Sequence, residues 1–247
     1  MSKQQEPIVK MWTPYHIKVD ENYRYFPKNL LFFVGNQILR VLVFTILPIW
    51  NQFFFGLKVE GKEILKKHEG KAITICNHVH MLDCTMIGCI DPKKSIYYPT
   101  LKSNLEIPFI RFLVKLLGGM PIPQTTKALD HFRQAVKQVF QQGKLIHMYP
   151  EAMLYPYYDG IRPFKKGAFS FSYDYNTPII PMVITYRPAT GIRKYLKQKP
   201  FLTLTILNPI YPNQENERTQ EIEYLKETCY QTMNQYYKTH SQTSLSN

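Results

Sequence analysis

The chain has 247 residues, which is long enough to bury a real core in one α/β domain or in two small ones. Apolar residues make up 45% of it, and this fraction excludes a disordered protein. Lysine and arginine outnumber the acidic residues by 31 to 18, so the formal charge is +13. Such an excess predicts an anionic partner, either nucleic acid, a negatively charged membrane surface or phosphorylated substrates.

The amino-terminal segment, residues 1–28, begins with the polar stretch MSKQQEPIVK and has no pattern typical of a signal peptide. The cysteines indicate the redox environment of the protein. The four cysteines form no C-x-x-C pair, and three of them crowd residues 76–89 among apolar neighbours. This usage is typical of a reducing compartment, with thiols packed as small hydrophobic side chains.

The first long apolar run covers residues 29–56. It is long enough to cross a bilayer, but Asn36, Gln37, Arg40 and Pro48 interrupt it. Such residues are costly at the centre of a lone spanning helix. We therefore predict a membrane-associating segment of two shorter helices that lie in or dip into one leaflet and break near Pro48. The alternative is one long amphipathic helix packed on the core of the domain.

Beyond this run, short β-rich segments alternate with helical ones. The pattern predicts strands over 71–75, 95–100, 144–150, 178–186 and 201–207, and helices over 105–117, 126–142, 166–175 and 215–237. This alternation predicts an α/β domain over residues 57–240, with a largely parallel mixed sheet wrapped by helices. Residues 241–247 are predicted to be a flexible tail.

Two of the predicted strands end in polar residues. The stretch 77–83 follows the first strand, and Glu151 follows the third. Open α/β sheets carry their chemistry in loops at the carboxyl ends of strands. Two such ends in one sheet predict an active site at this edge.

His78 and Asp83 are five residues apart. On a continuous helix they would point about 140° apart. At a turn that leaves a strand, with Asp83 opening the next helix, the carboxylate can fold back onto the imidazole and leave the other ring nitrogen free as a general base. The alternative is structural: Asp83 is an N-cap, and His78 is a hydrogen-bonded loop residue.

A metal site is a further alternative for this stretch. Cys76, His78 and His80 would share one face if the strand continued, and Cys84 or Cys89 could complete a tetrahedral set. These spacings match no common zinc module, and soft ligands on an apolar strand and helix usually belong to the core. We therefore predict no metal.

The stretch NHVHMLD, residues 77–83, resembles the N-H-x-x-x-x-D (HX4D) motif of the glycerolipid acyltransferases of the lysophosphatidic acid (1-acyl-sn-glycerol-3-phosphate) acyltransferase type. Three further blocks, at 101–124, 148–169 and 177–184, follow in the order of the family. The resemblance covers about residues 56–209. It implies an α/β fold and transfer of a fatty acyl group from a thioester to a lysolipid hydroxyl.

By this resemblance His78 is the base, and Asp83 orients it and stabilises the imidazolium. The resemblance also implies that Glu151 contacts the acceptor or stabilises the site, and Asn77 is counted with the substrate-binding residues. A phosphate on the acceptor needs cationic partners. The candidates are Arg162, Lys165 and Lys166, with Lys102 behind them; a solvated surface role is the alternative for Lys166.

The chain departs from the family pattern on the acceptor side. Gln124 and Leu154 stand where the family has arginines that help to bind the acceptor phosphate, and Asn104 replaces a glutamate. Arg162 is a candidate replacement for these arginines. The resemblance therefore supports acyl transfer and leaves the acceptor open.

The sequence thus predicts a membrane-associated enzyme of phospholipid biosynthesis that makes phosphatidic acid from lysophosphatidic acid. Its partners would be the phospholipid surface, the lysophospholipid acceptor, and acyl-coenzyme A or acyl-carrier protein as donor, with no resident cofactor. It would be monotopic, on the cytoplasmic face of a bacterial plasma membrane. The dispersed basic residues argue against nucleic acid. The alternatives are another lysophospholipid or glycolipid acceptor, or a non-catalytic membrane-binding adaptor on the same fold.

Overall fold

Seven strands form one mixed sheet in the part of the chain that the computed structural model describes, residues 15–26, 30–108, 110–190 and 199–242. In chain order the strands are β1 Lys58–Glu60, β2 Ala72–Cys76, β3 Ile96–Thr100, β4 Gly119–Pro121, β5 Leu145–Met148, β6 Ile179–Arg187 and β7 Phe201–Ile206. Their spatial order is β1-β7-β6-β2-β5-β3-β4. Only the β6–β7 pair is antiparallel among these described strands. The predicted α/β class with a largely parallel mixed sheet is confirmed.

Helices lie between and around these strands. They are α1 Leu30–Phe55, α2 Lys62–Lys67, α3 Asp83–Gly88, α4 Ile110–Leu116, α5 Thr126–Gln141, α6 Gly167–Asp174 and α7 Arg218–His240, with a 3-10 turn at Lys102–Leu105. The helix predicted over 105–117 is thus two elements, with Pro108 between them. A residue before proline is disfavoured in the helical region, so the chain breaks there.

All five predicted strands are present, each within about two residues of its predicted ends. Two strands were missed, β1 and β4, and both are short edge strands of three residues. The helix α2 was also missed. A strand of three residues is too short to show a periodic pattern of apolar residues, so β1 and β4 can be identified only from their pairing with neighbouring strands.

The core lies on both faces of the central strands. Every residue of β2 and β7 is buried, and so is every residue of β6 except the last. Strands covered on both faces read as continuous apolar runs, which is why the sequence pattern found them. The helix α5 adds one buried apolar face, and α7 packs on β6 and α6.

The apolar segment α1 is one continuous helix, so the predicted break near Pro48 is wrong: Pro48 lies inside it. Polar side chains attach the helix to the domain on both sides of this proline. Asn36 Nδ2 donates to the carbonyl of Leu116, and Arg40 Nη2 donates to the carbonyl of Pro92 at 3.2 Å. A proline removes one backbone hydrogen bond, and attachment on both sides allows the helix to continue past it.

The third attachment is near the end of α1. Asn51 is buried, and its Oδ1 accepts a hydrogen bond from Thr85 Oγ1 on α3 at 3.2 Å. Residues 36 to 51 span about 22 Å of helix. Because contacts are distributed over this length, α1 lies along the domain surface. The residues that we expected to interrupt the segment are among those that hold it there.

We call the exposed apolar side chains of α1 its outer face. The stretch Phe33–Phe55 is long and apolar enough to cross a membrane by length and composition alone, and 11% of its most apolar window is buried. The outer face consists of Leu30, Leu31, Phe33, Val34, Ile38, Val41, Leu42, Ile46, Ile49, Trp50 and Phe53. A continuous exposed patch of this kind marks an interaction surface.

The two ends of the chain are described in part. Residues 15–26 lie against the domain, where Ile17 N donates to Glu106 Oε1 at 3.2 Å and Tyr25 Oη donates to the carbonyl of Pro121 at 3.1 Å. Most of the predicted tail, residues 243–247, lies outside the described residues, as do residues 1–14.

Candidate active site

The carboxyl ends of β2 and β5 lie side by side. The two strands are parallel neighbours, with Ile75 of β2 opposite Met148 of β5. The loops that follow the two strands therefore leave the sheet at the same edge. They are the two loops in which the sequence places polar residues after a strand. The site is built from these loops and from the start of α3.

His78 and Asp83 meet as the turn geometry predicts. Asp83 is the first residue of α3 and is fully buried, and its Oδ2 lies 2.7 Å from His78 Nδ1. The same oxygen accepts backbone hydrogen bonds from Val79 N at 3.2 Å and His80 N at 3.4 Å. The turn that brings the pair together is thus held by the carboxylate itself.

The contact with Asp83 assigns the tautomer of His78. A carboxylate accepts, so Nδ1 carries the proton and Nε2 carries the lone pair. The His78 side chain is 20% exposed, whereas that of Asp83 is not exposed at all. The carboxylate is therefore inside the protein, and the imidazole that it orients is partly accessible, an arrangement that suits a general base.

Tyr149, at the end of β5, completes this group and was missed by the sequence analysis. Its hydroxyl donates to Asp83 Oδ1 at 2.6 Å. Its ring stacks on the His78 imidazole, with centroids 3.9 Å apart and planes 14° apart. Burial, followed by the charge of Asp83, raises the pKa of Tyr149 well above its ordinary value, so the hydroxyl stays protonated as a donor.

A buried polar pair lies behind Tyr149. His147 of β5 stands opposite Thr74 of β2, and its Nδ1 lies 2.8 Å from Thr74 Oγ1. The His147 ring meets that of Tyr149 edge to face, with centroids 4.6 Å apart. Burial, with a smaller effect of His78, lowers the pKa of His147 to about 3. His147 is therefore a neutral packing residue.

Glu151 accepts three hydrogen bonds from the protein. They come from His78 N at 3.1 Å, from Arg162 N at 2.9 Å and from Arg162 Nη2 at 2.7 Å. Burial raises the pKa of Glu151, and the hydrogen bonds from Arg162 and His78 oppose this effect. Of the two roles expected for Glu151, this geometry favours stabilisation of the site, because the carboxylate joins the His78 loop to the Arg162 loop.

Arg162 is nearly enclosed, with 12% of its side chain exposed. Its Nη2 also donates to the carbonyl of Met153, and its guanidinium lies over the Tyr155 ring, 4.2 Å from the centroid. Among the described residues, its buried Nε has no hydrogen-bond partner. Arg162 thus lies beside the His78 loop, at the place where the sequence departs from the family pattern.

Three other predicted residues do not contact the His78 group through the bonds described above. Asn77 is fully buried, and both of its polar groups bond the backbone of Ile184 at 2.8 and 3.0 Å, so it joins β2 to β6; its predicted contact with substrate stays a prediction. Lys166 forms an exposed ion pair with Glu223 of α7 at 2.9 Å, which is the surface role named as its alternative. Lys165 is exposed.

Lys102 follows β3, which adjoins β5 on the side away from β2. Two strand spacings, about 10 Å, therefore separate the ends of β2 and β3 along the sheet. Lys102 Nζ lies 3.3 Å from Glu106 Oε1, and its side chain is one-third exposed. It shares the edge of the site without touching the His78 group.

The cysteines behave as buried thiols. Burial raises the pKa of Cys76 well above its ordinary value, that of Cys84 to about 12 and that of Cys89 to about 11. Cys76 Sγ donates to Asn77 Oδ1 at 3.5 Å. A thiol held protonated in this way is a poor nucleophile. Within the described part of the chain, no three His, Cys, Asp or Glu side chains form a group that could hold a metal.

Comparison with known proteins gives consistent matches. Residues 56–185 match the Acyltransferase family. The 1-acyl-sn-glycerol-3-phosphate acyltransferase of Saccharomyces cerevisiae is 28% identical over 189 residues, which cover 70% of this chain and 61% of the yeast protein. The uncharacterized acyltransferase C1851.02 of Schizosaccharomyces pombe is 29% identical over 134 residues, covering 53% of this chain and 47% of that protein.

A plant relative has the same name as the yeast protein. The 1-acyl-sn-glycerol-3-phosphate acyltransferase of Cocos nucifera is 24% identical over 157 residues, covering 62% of this chain and 49% of the plant protein. The matched part of the chain thus spans about half to three-fifths of the length of these relatives.

A solved structure has the same architecture. The 1-acyl-sn-glycerophosphate (LPA) acyltransferase PlsC from Thermotoga maritima superposes with a TM-score of 0.59, over 86% of this chain and 89% of that one. Sequence identity is 16%, so the likeness is one of fold.

Proposed function

The chain belongs to the Acyltransferase family, and from this premise we propose that it is a membrane-associated enzyme that transfers a fatty acyl group to the free hydroxyl of lysophosphatidic acid, giving phosphatidic acid. The observation that carries the proposal is the 2.7 Å contact between His78 Nδ1 and the buried carboxylate of Asp83. It leaves Nε2 as the ring nitrogen that carries the lone pair.

The reaction needs a base because a hydroxyl is a poor nucleophile at neutral pH. The acceptor oxygen attacks the carbonyl carbon of the acyl thioester while its proton passes to His78 Nε2. The new ester bond forms, the carbon–sulfur bond breaks, and the electron pair leaves with sulfur. His78 then returns the proton to the thiolate. The products are the acylated lipid and the free thiol, and the base is regenerated.

Asp83 acts through His78 during this transfer. Its carboxylate holds the required tautomer and faces the imidazolium that forms when the proton arrives, following the logic of the histidine and aspartate in serine hydrolases. Here the acceptor hydroxyl takes the place of the serine, and no acyl-enzyme forms. The protonated state of Cys76 is consistent with direct transfer.

The donor is an acyl thioester of coenzyme A or of acyl-carrier protein. Both carriers are acidic, and the formal charge of +13 suits either of them. No resident cofactor is required by the proposed steps.

The acceptor phosphate would bind on the Arg162 side of the site. The buried Nε of Arg162, which has no partner among the described residues, is a donor that a phosphate oxygen could satisfy. Lys102 and the exposed Lys165 are further cations at the rim. These contacts would replace the arginines that the family has where this chain has Gln124 and Leu154.

The outer face of α1 would bring the site to the lipid. Asn51 holds the end of α1 against α3, and the turn that precedes α3 exposes Met81 and Leu82. Phe112 and Leu113 of α4, which packs on α1, are exposed as well. An apolar surface thus leads from α1 to the His78 turn, as a monotopic enzyme on an acyl-chain substrate requires. The cytoplasmic face of a bacterial plasma membrane stays a prediction.

Vesicle binding tests the membrane part. We expect the protein to co-sediment with anionic phospholipid vesicles and the variant with Leu42→Lys and Ile49→Lys to bind about 100-fold more weakly, because two apolar side chains of the outer face would be lost. The matched control is Tyr224→Lys, an exposed aromatic side chain on α7. Equal weakening by this control would contradict binding through α1.

Acyl transfer tests the reaction. Purified protein in vesicles would receive acyl-coenzyme A or acyl-carrier protein donors with lysophosphatidic acid and a panel of other lysophospholipids and glycolipids. Transfer to lysophosphatidic acid supports the proposal. Transfer only to another acceptor keeps His78 as the base and changes the substrate. A folded, vesicle-bound protein with no transfer supports the adaptor.

One observation favours another acceptor as the second candidate. The Arg162 charge already faces Glu151 at 2.7 Å, and Tyr155 and Tyr158 lie beside its guanidinium. A phosphate would have to share this neutralised cation. An acceptor without a phosphomonoester would have no such requirement, and aromatic faces suit sugars or quaternary ammonium groups.

A further inference from the structure

We infer that Tyr149 is a positioning residue for the proposed base, with its hydroxyl holding Asp83 and its ring holding the His78 imidazole. This inference rests on the proposed function and extends it to Tyr149, an uncharged residue of the third block. It concerns how the base is oriented and tuned, and it adds no step to the reaction.

With the Tyr149 hydroxyl in place, each oxygen of the Asp83 carboxylate has its own side-chain partner. Oδ1 accepts from Tyr149 at 2.6 Å, and Oδ2 accepts from His78 Nδ1 at 2.7 Å. Because the carboxylate is fully buried, an oxygen without a donor would be costly. Rotation of the carboxylate would exchange these partners. The tyrosine bond therefore fixes the orientation in which Asp83 meets the base.

The ring acts on the imidazole from the other side. It lies 3.9 Å from His78 at an interplanar angle of 14°, so the imidazole cannot tilt towards β5. When His78 accepts a proton, the resulting cation faces the electron-rich face of the tyrosine ring, an arrangement that is attractive. The ring thus restrains the imidazole and favours its charged form.

Tyr149 is itself held by regular structure. It directly follows β5 and precedes Pro150, whose carbonyl accepts from Lys165 N at 2.8 Å. The edge of the buried His147 ring packs against it. Residues positioned by a sheet are held more closely than residues in loops, and proton transfer is sensitive to small displacements.

The two contacts affect the charge of His78 in opposite directions. The hydroxyl bond draws negative charge from Asp83 and so weakens its attraction for the imidazolium, whereas the ring face attracts the imidazolium. Removing only the hydroxyl should therefore favour protonation of His78. Removing the ring as well should disfavour it relative to that variant. A tyrosine that only fills space would produce neither effect.

The test follows the imidazole of His78 by NMR titration of histidine-labelled protein, beside acyl-transfer kinetics. In Tyr149→Phe we expect the titration midpoint to rise by about 0.5 to 1 pH unit, the acid limb of the pH–rate profile to move with it, and kcat to fall about 10-fold with KM within about twofold. In Tyr149→Leu the midpoint should lie below that of the phenylalanine variant, and kcat should fall about 100-fold.

The control is Tyr237→Phe, which removes the hydrogen bond that another buried tyrosine donates to an aspartate, from Tyr237 Oη to Oδ1 of the exposed Asp159 at 2.8 Å. It should lower stability and leave the His78 midpoint unchanged. An unchanged midpoint in Tyr149→Phe, or an equal shift in the control, would overturn the inference. If Tyr149→Phe does not fold, the wild-type protein labelled at tyrosine Cζ provides the test. A Tyr149 signal that does not change as His78 titrates would also overturn the inference.

Failure of this inference and failure of the proposed function are distinguishable. The NMR titration needs no turnover, so it reports on the link between Tyr149 and His78 even if no acceptor is acylated. Acyl transfer with an unmoved midpoint would leave the proposed function standing and remove Tyr149 from it.

Discussion

The proposed base side and the proposed acceptor side of the site are built in different ways. On the base side, His78, Asp83 and Tyr149 lie at the ends of two neighbouring strands and are joined by bonds of 2.6 and 2.7 Å. On the acceptor side, Glu151 and Arg162 lie in one long loop and are joined mainly to each other. The first group keeps the histidine and the aspartate of the family motif, whereas the second keeps the glutamate Glu151 and has Arg162 as the candidate replacement for the missing arginines.

This difference separates chemistry from recognition. A proton-transfer geometry tolerates little displacement, so it belongs on the sheet. A binding loop can exchange residues as long as its buried charges remain paired. Arg162 takes up that requirement here by pairing with Glu151. We therefore expect substitutions on the base side to affect turnover and substitutions on the acceptor side to affect stability and acceptor choice.

The largest effect should follow from His78→Ala. General bases contribute about 10²–10⁴-fold, so we expect kcat to fall by about 10³-fold. Stability should fall only modestly, because Asp83 Oδ2 would keep its backbone donors Val79 N and His80 N. The measurement is acyl transfer beside thermal unfolding, with His16→Ala, an exposed histidine, as the control. Full activity of the alanine variant would remove the base side from the mechanism.

The next effect concerns the Glu151–Arg162 pair. Arg162→Met leaves a buried carboxylate without its charged partner, so the free energy of unfolding should fall by about 3–5 kcal/mol. In the double variant with Glu151→Gln, much of this loss should be recovered. Chemical denaturation of both singles and the double completes a mutant cycle. Strictly additive losses would show that Glu151 and Arg162 contribute to stability independently and not as a pair.

The support behind the base side gives a pH dependence. The pKa of His147 is about 3 in the folded protein, and unfolded histidine titrates near 6.5. Between these values the unfolded chain binds more protons, so stability falls as pH falls, by about 3 kcal/mol from pH 7 to pH 4. We expect His147→Gln to flatten this part of the stability curve. A wild-type slope retained in the variant would place the titration elsewhere.

The smallest effect separates two adjacent lysines. Lys166 forms an exposed ion pair with Glu223, so Lys166→Ala should change stability by less than about 1 kcal/mol and leave kinetics unchanged. Lys165→Ala should raise KM for a phosphorylated acceptor about fivefold if Lys165 faces the phosphate. Initial rates against acceptor concentration distinguish them. Equal effects at both positions would indicate a general surface charge effect.

Strand positions and the His78–Asp83 turn could be predicted because both depend on residues close in sequence. A strand buried on both faces is a continuous apolar run, and the turn brings together residues five positions apart. The same local logic failed for Pro48, because the contacts that keep α1 continuous come from α3, α4 and the Pro92 loop.

The sequence alone determined the α/β class, the two strand ends that are followed by polar residues, the turn that brings His78 to Asp83, and an apolar segment beside a basic domain. Tertiary structure decided what distant residues do. Tyr149 reaches Asp83 across 66 positions because β2 and β5 are neighbours, and the side chain of Asn77 bonds the backbone of β6. It also turned the polar residues of α1 into attachments. Side-chain roles that depend on long-range pairing have no local signature, because the free energy that selects them arises only when the sheet assembles.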